Sequence, residues 1–475
     1  MKIKLGMGRT NMERFRKYCG GELYDFTGDA GCDFEYVCTD SREADDRTMF
    51  IATRGERVDG HDYISGAMQR GCRCILCEYV PQDIEGKKVC FLVVEDSMAS
   101  FAIAASGYQR EYPQRNIAIT GSVGKTTTKE LIASVLREEL SVYSTKGNFN
   151  SIIGMPMSLM EASGCCEVAV FEMGMSSFGE IRSMSLASSP DVALIINIGS
   201  SHLEYLKSRE NIAKAKLEIA EGVKPGGYLL LDGDEPLLEN AKEQLKSKEL
   251  NIFYVSSGEN KNADFYASRV NVTETGSSFD LVYGERTIKD IKLSAIGSHF
   301  VKDALYACAV GFLFGIDEEK IREGLLKYRP VGYRQNIYEK NEIKIIADCY
   351  NAAPESMHAA IDVLDGISCS GKKIAVLGDM KELGSDSERM HREVGKYLCT
   401  KADLLVSIGE GGEQICRGAL EAGMPKDKIF NFCGENAGNS AADCIETFLN
   451  PGDLILFKAS RVMELEKIMA KLGIG

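Results

Sequence analysis

The stretch IAITGSVGKTTTK, residues 117–129, constrains this chain more than any other, because an apolar β-like run feeds a glycine loop that opens directly into a helix. Glycines let backbone N–H groups converge on phosphate oxygens at the helix N-terminus. Lys125 can neutralise those oxygens, and the Thr126 hydroxyl can sit on Mg²⁺. Gly121, Ser122, Val123, Gly124, Lys125, Thr126 and Thr127 are therefore expected to bind ATP. Ile119 stands where the full phosphate-loop pattern has a glycine, so a plain strand-to-helix turn is the bland alternative.

A strand that ends in such a loop needs a covered parallel sheet around it, and the rest of the chain supplies the alternation. Short β-like runs at 36–39, 49–52, 72–78 and 90–95 alternate with helical or turn segments, and a helix over 101–110 ends near Pro113. Runs at 168–172, 192–198, 227–232 and 252–256 surround the glycine loop, followed by helices over 299–314 and 318–328. After Arg329-Pro330, apolar runs at 343–348, 373–377, 404–408 and 453–457 alternate with helices again, as in a Rossmann-like unit. The expected fold class is α/β with three domains: a small N-terminal α/β domain (1–108), a central phosphate-loop ATPase domain with a mainly parallel sheet (109–328), and a C-terminal Rossmann-like domain (329–475).

Composition narrows the function classes. The 475 residues are 44% hydrophobic and 27% charged, as in globular chains. Asp and Glu number 70 against 56 Lys and Arg, a net charge of −14, which repels nucleic-acid phosphates and anionic membrane surfaces. The longest uncharged apolar stretch, 304–316, is shorter than the roughly 18 residues of a membrane span, and the N-terminus lacks the apolar core of a signal peptide. Sixteen scattered cysteines suit a reducing compartment. The expectation is a cytoplasmic protein without a nucleic-acid partner or stable membrane association. Cys72, Cys74 and Cys77 alternate within a β-like run and have no matching second cluster, so they read as buried thiols and not a zinc site.

Other segments are ambiguous from their residues alone. Residues 146–156, KGNFNSIIGMP, read as a turn. Glu172 follows a β-like run, at the sheet end where ligands bind in open α/β folds, and is either a Mg²⁺ ligand or a solvated loop acid. His202 stands at the end of another such run, where a structural histidine is the plainer reading. Lys216 lies in ENIAKAKLE, residues 210–218, whose residues read as a solvated charged helix face.

The series TGSVGKTTTK, KGNFNSIIGMP, FEMGMSSFGEI, SSHLEYLKSRENIAKAKLEI, DCYNAAPESM and VLGDMKELGSDSERMH resembles, in order and approximate spacing, the Mur ligases. Thr39-Asp40-Ser41-Arg42 and the segment 54–62, RGERVDGHD, resemble that family's UDP-sugar-binding domain, so the resemblance covers nearly the whole chain. It implies an ATP-dependent amide ligase that adds D-alanyl-D-alanine to a UDP-N-acetylmuramoyl-tripeptide through an acyl phosphate, working as a monomer. It further implies that Lys125 and Thr126 serve ATP and Mg²⁺, that Thr126, Glu172, His202 and Lys216 hold the metal, and that Lys216 is carbamylated. Lys125, His202 and Lys216 would be the catalytic set. Arg334, Asp348, Tyr350 and Asn351 would face the nucleotide. Asp40, Ser41, Arg42, Asn148, Asn150, Lys458, Ser460 and Arg461 would contact the other substrates. The chain departs from the family pattern at Ser176-Ser177, at Ala353-Pro354 and around Phe300 and Asp303. The competing readings are a family member that adds a single amino acid, folylpolyglutamate synthase, and a phosphate-loop switch ATPase.

Overall fold

The computed structural model describes residues 1–28, 32–55, 58–82, 88–258 and 260–475. Glu56 and Arg57 of the expected sugar-nucleotide segment lie outside the described residues. Among those described, three large sheets organise the chain, and their parallel inner strands are mostly buried apolar runs, as parallel strands must be.

The first sheet runs Lys2–Lys4, Tyr36–Cys38, Thr48–Ile51, Cys74–Cys77, Cys90–Val93, Glu22–Asp25. Its four inner strands are parallel, and both edges are antiparallel. The edge strands were missed in sequence because they are short and half polar. One hydrophobic core continues from this sheet into the next: Phe101, Ala104, Ala105 and Tyr108 of helix Ser97–Arg110 join Met155, Leu159 and Ile181 of helices Gly154–Ala162 and Glu180–Ser188.

The second sheet has nine strands in the order Val142–Ser144, Val168–Glu172, Arg115–Thr120, Val192–Ile195, Tyr228–Asp232, Asn251–Ser256, Phe265–Thr273, Gly276–Tyr283, Arg286–Leu293. The chain winds to both sides of Arg115–Thr120, which puts a topological switch point at the glycine loop. The last three strands form an antiparallel meander over 265–293, a stretch in which the sequence reading places no element. Its turns are Glu274-Thr275 and Gly284-Glu285, two-residue loops that only antiparallel neighbours can use, and Gly284 supplies a φ of 57°.

The third sheet runs Asn336–Lys340, Ile343–Ala347, Leu454–Lys458, Lys373–Gly378, Leu404–Ile408, Ile429–Phe432, parallel except for the first pair. Separate apolar clusters cover its two faces. The carboxyl ends of its strands face those of the second sheet across a cavity.

Candidate active site

That cavity has a volume of about 510 Å³ and is walled by residues from both sheets. Register sets the first wall. Glu172 is opposite Ile119 and Ile195 is opposite Thr120, so Glu172, the glycine loop and Asn197 share one sheet edge.

The loop closes as its residues require. Gly124 has a φ of 80°, and a Cβ there would stand 3.2 Å from Asp303 Oδ1. Helix Lys125–Leu136 begins at once, leaving its first-turn N–H groups without intrahelical acceptors and aimed at the cavity. Asn197 braces the loop from the neighbouring strand: its Oδ1 accepts from the N–H groups of Ser122 (2.8 Å) and Val123 (3.0 Å), and its Nδ2 donates to Val123 O (2.8 Å). Sequence reasoning missed Asn197, although a polar residue directly after an apolar strand at a sheet's carboxyl end is a usable signal. Lys125 Nζ donates to Gly121 O (2.8 Å), and burial pushes its ammonium below the ordinary lysine value against the attraction of Glu172.

Glu172 is held from both sides. The Thr126 hydroxyl donates to one carboxylate oxygen (2.7 Å) and Asn150 Nδ2 to the other (2.8 Å). Of the two asparagines singled out, Asn150 thus reaches the site, whereas Asn148 stands exposed and does not line the cavity. His202 lines it from a left-handed backbone (φ 68°), a conformation uncommon outside glycine, with Nδ1 2.6 Å from Glu382 Oε2. Glu382 is also left-handed (φ 66°), and its carboxyl is held below the ordinary value chiefly by the hydrogen bond with His202.

Lys216 overturns the reading of its helix as a solvated charged face. It is 1% exposed in helix Arg209–Leu217, whose inner face also carries Ile212, Ala213 and Ala215. Ile212 and Lys216 are four residues apart and share that face, which is the signal the charge pattern obscured. Burial, and then Lys125, drive its pKa well below the usual lysine value, favouring the neutral amine. Lys216 is not among the residues lining the cavity itself.

The opposite wall belongs to the third sheet. Asp348 follows strand Ile343–Ala347, and Ala347 is opposite Phe457, so Lys458 arrives beside it with Nζ 2.7 Å from Asp348 Oδ2. Burial pushes the Asp348 carboxyl up and Lys458 opposes it. Lys458 also donates to Asn351 O (3.1 Å), and the Arg334 guanidinium lies 3.6 Å above the Tyr350 ring. Arg334, Asp348, Tyr350, Asn351 and Lys458 all line the cavity. Ser460 and Arg461 do not: the Ser460 hydroxyl accepts from Lys381 N–H (3.0 Å), and Arg461 pairs with Glu466. Two further residues missed in sequence hold the walls together: Glu355 accepts from Ser200 N and Oγ (both 2.9 Å), and Gln335 Nε2 donates to Ile296 O (2.5 Å).

Asp40, Ser41 and Arg42 form a separate group on the first sheet, where Asp40 caps the turn Ser41–Glu43 and pairs with Arg42 at 2.7 Å. They are not part of the cavity wall.

Behind the glycine loop, Asp303 is buried and accepts from the Thr128 hydroxyl (2.7 Å). Burial pushes its carboxyl up to about 7, above the roughly 3.9 of an unfolded aspartate. Between those values the folded state binds more protons, so the stability present at low pH is lost as pH rises toward 7. Asp303→Asn is expected to remove this loss. Relative to wild type, its melting temperature should rise between pH 5 and 8, toward a ceiling of about 4 kcal/mol for roughly three pKa units. Parallel pH profiles of the two proteins would refute the buried ionisation.

Such a cleft, with a phosphate loop on one side and a Rossmann-like sheet on the other, defines a class of two-walled nucleotide enzymes. Family models agree: the Mur ligase middle domain matches residues 119–311, the Mur ligase glutamate ligase domain 333–461, and the Mur ligase family catalytic domain 33–117. The chain belongs to the Mur ligase family. It is 38% identical to the UDP-N-acetylmuramoyl-tripeptide--D-alanyl-D-alanine ligase of Bacillus subtilis over 92% of each chain, and 33% identical to that of Escherichia coli over 83% of this chain and 85% of the other. Among solved structures, MurF from Acinetobacter baumannii superposes with a TM-score of 0.87 at 29% identity over 99% of each chain. MurF from Thermotoga maritima in complex with ADP does so with 0.79 at 28% identity, over 92% of this chain and 96% of that one. Folylpolyglutamate synthase of Mycobacterium tuberculosis, at 17% identity and a TM-score of 0.61, shares the fold alone.

Proposed function

We infer that the protein is an ATP-dependent ligase that joins D-alanyl-D-alanine to a UDP-N-acetylmuramoyl-tripeptide in cytoplasmic peptidoglycan precursor synthesis, acting as a monomer. The observation that carries this reading is the near full-length identity to ligases of that name, combined with a cavity that sets Lys125, Glu172 and His202 against Arg334, Asp348 and Lys458. The acidic surface and sixteen free cysteines support a reducing compartment and the absence of a nucleic-acid partner, and among the described residues no helix is long and apolar enough to cross a membrane.

In this mechanism the terminal carboxylate of the tripeptide attacks the γ-phosphorus of ATP, and ADP leaves. The amine of D-alanyl-D-alanine then adds to the acyl phosphate carbonyl, loses a proton, and the tetrahedral intermediate expels phosphate. Lys125 and the first-turn N–H groups of its helix hold and neutralise the phosphate oxygens, and the protein acts mainly by positioning and by charge stabilisation. Arg334, stacked on Tyr350, and Asp348 close the nucleotide from the third sheet, and Lys458, paired with Asp348, faces the other substrates.

The donors around Glu172 fit Mg²⁺: a hydroxyl, a carboxylate and an amide are hard ligands, and Thr126 and Asn150 already orient the carboxylate. Thr126, Glu172, His202 and Lys216 would hold it, where it would neutralise charge on the transferring phosphoryl group. A buried neutral Lys216 amine is the form that adds CO₂. The resulting carbamate is an anionic oxygen donor, and it turns the repulsion from Lys125 into attraction.

Coupled ADP release tests the reaction class. Turnover should require both the muramoyl tripeptide and D-alanyl-D-alanine; ADP release with neither present would make the protein a switch ATPase, and acceptance of a single amino acid in place of the dipeptide would move it to another branch of the family. The first sheet gives a second test. Arg42 is 82% exposed, so its pair with Asp40 contributes little to folding. Arg42→Ala should raise KM for the muramoyl nucleotide about tenfold or more, the worth of a charge-assisted hydrogen bond, and leave KM for ATP unchanged. An unaltered KM for the muramoyl nucleotide would remove Asp40, Ser41 and Arg42 from its binding site.

A further inference from the structure

Two buried thiols and one carboxylate, with a third thiol beside them, converge on a face of the first sheet outside the cavity. Register assembles them. Cys74 and Cys90 are opposite partners on parallel strands, and Asp25 is opposite Cys90 on the antiparallel edge strand. Opposite residues project to one face, so Cys74, Cys90 and Asp25 form a row with Cys90 in the middle. Cys32 comes over this row, its sulfur within 4.8 Å of the Cys90 sulfur and of an Asp25 carboxylate oxygen.

The ligand atoms of Asp25, Cys32 and Cys90 all lie within 4.8 Å of one another. In a tetrahedral zinc site, Zn–S bonds of about 2.3 Å put sulfurs about 3.8 Å apart, so only a small contraction is needed. The three cysteines are 0–6% exposed, whereas Asp25 is exposed and opens the site to solvent. Asp25 is also oriented: Thr27 donates its N–H (2.8 Å) and hydroxyl (2.5 Å) to Oδ1, the outer support that metal-binding carboxylates use. Cys38, Cys72 and Cys77 lie in the core on the opposite face of the same sheet, among Phe50, Ile64 and Phe91.

We propose that Cys32, Cys90 and Asp25 form a binding site for a thiophilic divalent cation, Zn²⁺, with the Cys74 thiol beside them, pinning the edge strand and the segment at Cys32 to the first sheet. Two thiolates with one carboxylate, and a fourth position open to water or to the neighbouring Cys74 thiol, select zinc over hard cations such as Mg²⁺, and binding releases the thiol protons to solvent. The sequence reading of Cys72, Cys74 and Cys77 could not reach this set, because Cys32 is 42 residues before Cys74 and joins it only through the fold.

The test uses the full chain, reduced, stripped of metal and titrated anaerobically with Co²⁺ as a spectroscopic substitute for zinc. Saturation at one equivalent is expected, with near-ultraviolet sulfur-to-cobalt charge transfer and tetrahedral visible bands that stoichiometric Zn²⁺ abolishes. Cys32→Ser lies outside the strands and should lose most of the charge-transfer absorption while retaining ADP release; Cys90→Ser should do the same, and Cys72→Ser should bind as wild type does. Absence of the band in wild type, its survival in Cys32→Ser, its equal loss in Cys72→Ser, or closure of a Cys32–Cys90 disulfide in a protein that takes no metal would each overturn the proposal.

Discussion

Replacing Lys125 by alanine is expected to lower coupled ADP release about a thousandfold, the scale seen when one preorganised charge-stabilising group is removed from a reacting centre. Its ammonium reaches back to Gly121 O at the mouth of the phosphate loop, and burial already disfavours its charge. The free protein therefore loses little by the substitution, and the melting temperature should stay within a few degrees of wild type. Activity falls because neutralisation of the β- and γ-phosphates is needed most as charge shifts during transfer. A folded Lys125→Ala protein with normal turnover would defeat the assignment of the loop to ATP.

Lys216→Ala is the second large effect. If the residue is carbamylated, the variant loses an anionic oxygen donor worth several kcal/mol at the metal, a hundredfold or more in rate. Added short carboxylic acids should restore part of the activity by supplying oxygens to the vacated space, whereas bicarbonate should do nothing for the variant. The wild-type protein should carry the mass of one CO₂ adduct under conditions that preserve it. An unmodified Lys216 in an active enzyme, or full activity in Lys216→Ala, would leave Thr126, Glu172 and His202 as the metal site. Structure makes this prediction stronger than charge pattern did, because an unmodified ammonium here would be buried beside a second lysine.

The candidate site was legible in sequence to the extent that its parts are local. Gly124, Lys125 and Thr126 act through a strand, a turn and a helix contiguous in the chain, and Glu172 and Asp348 each follow an apolar run directly. Ser460 and Arg461 were read with Lys458 as one element, yet only Lys458 faces the cavity. The strand ends at Lys458, and the chain then turns into Arg461–Met463, away from the nucleotide wall.

Sequence by itself determined the α/β class, the three strand-and-helix runs and the phosphate loop, because hydrophobic periodicity and glycine conformational freedom act over a few residues. Tertiary structure decided which charges are buried and which are paired. The face of helix Arg209–Leu217 that carries Lys216 turned inward because Ile212 and two alanines anchor it there. His202 met Glu382, Lys458 met Asp348 and Cys32 met Cys90 across 180, 110 and 58 residues of chain. Such pairings carry no local signature: they depend on which strands lie side by side and on which faces the surrounding core leaves open, and strand order and packing are properties of the whole chain.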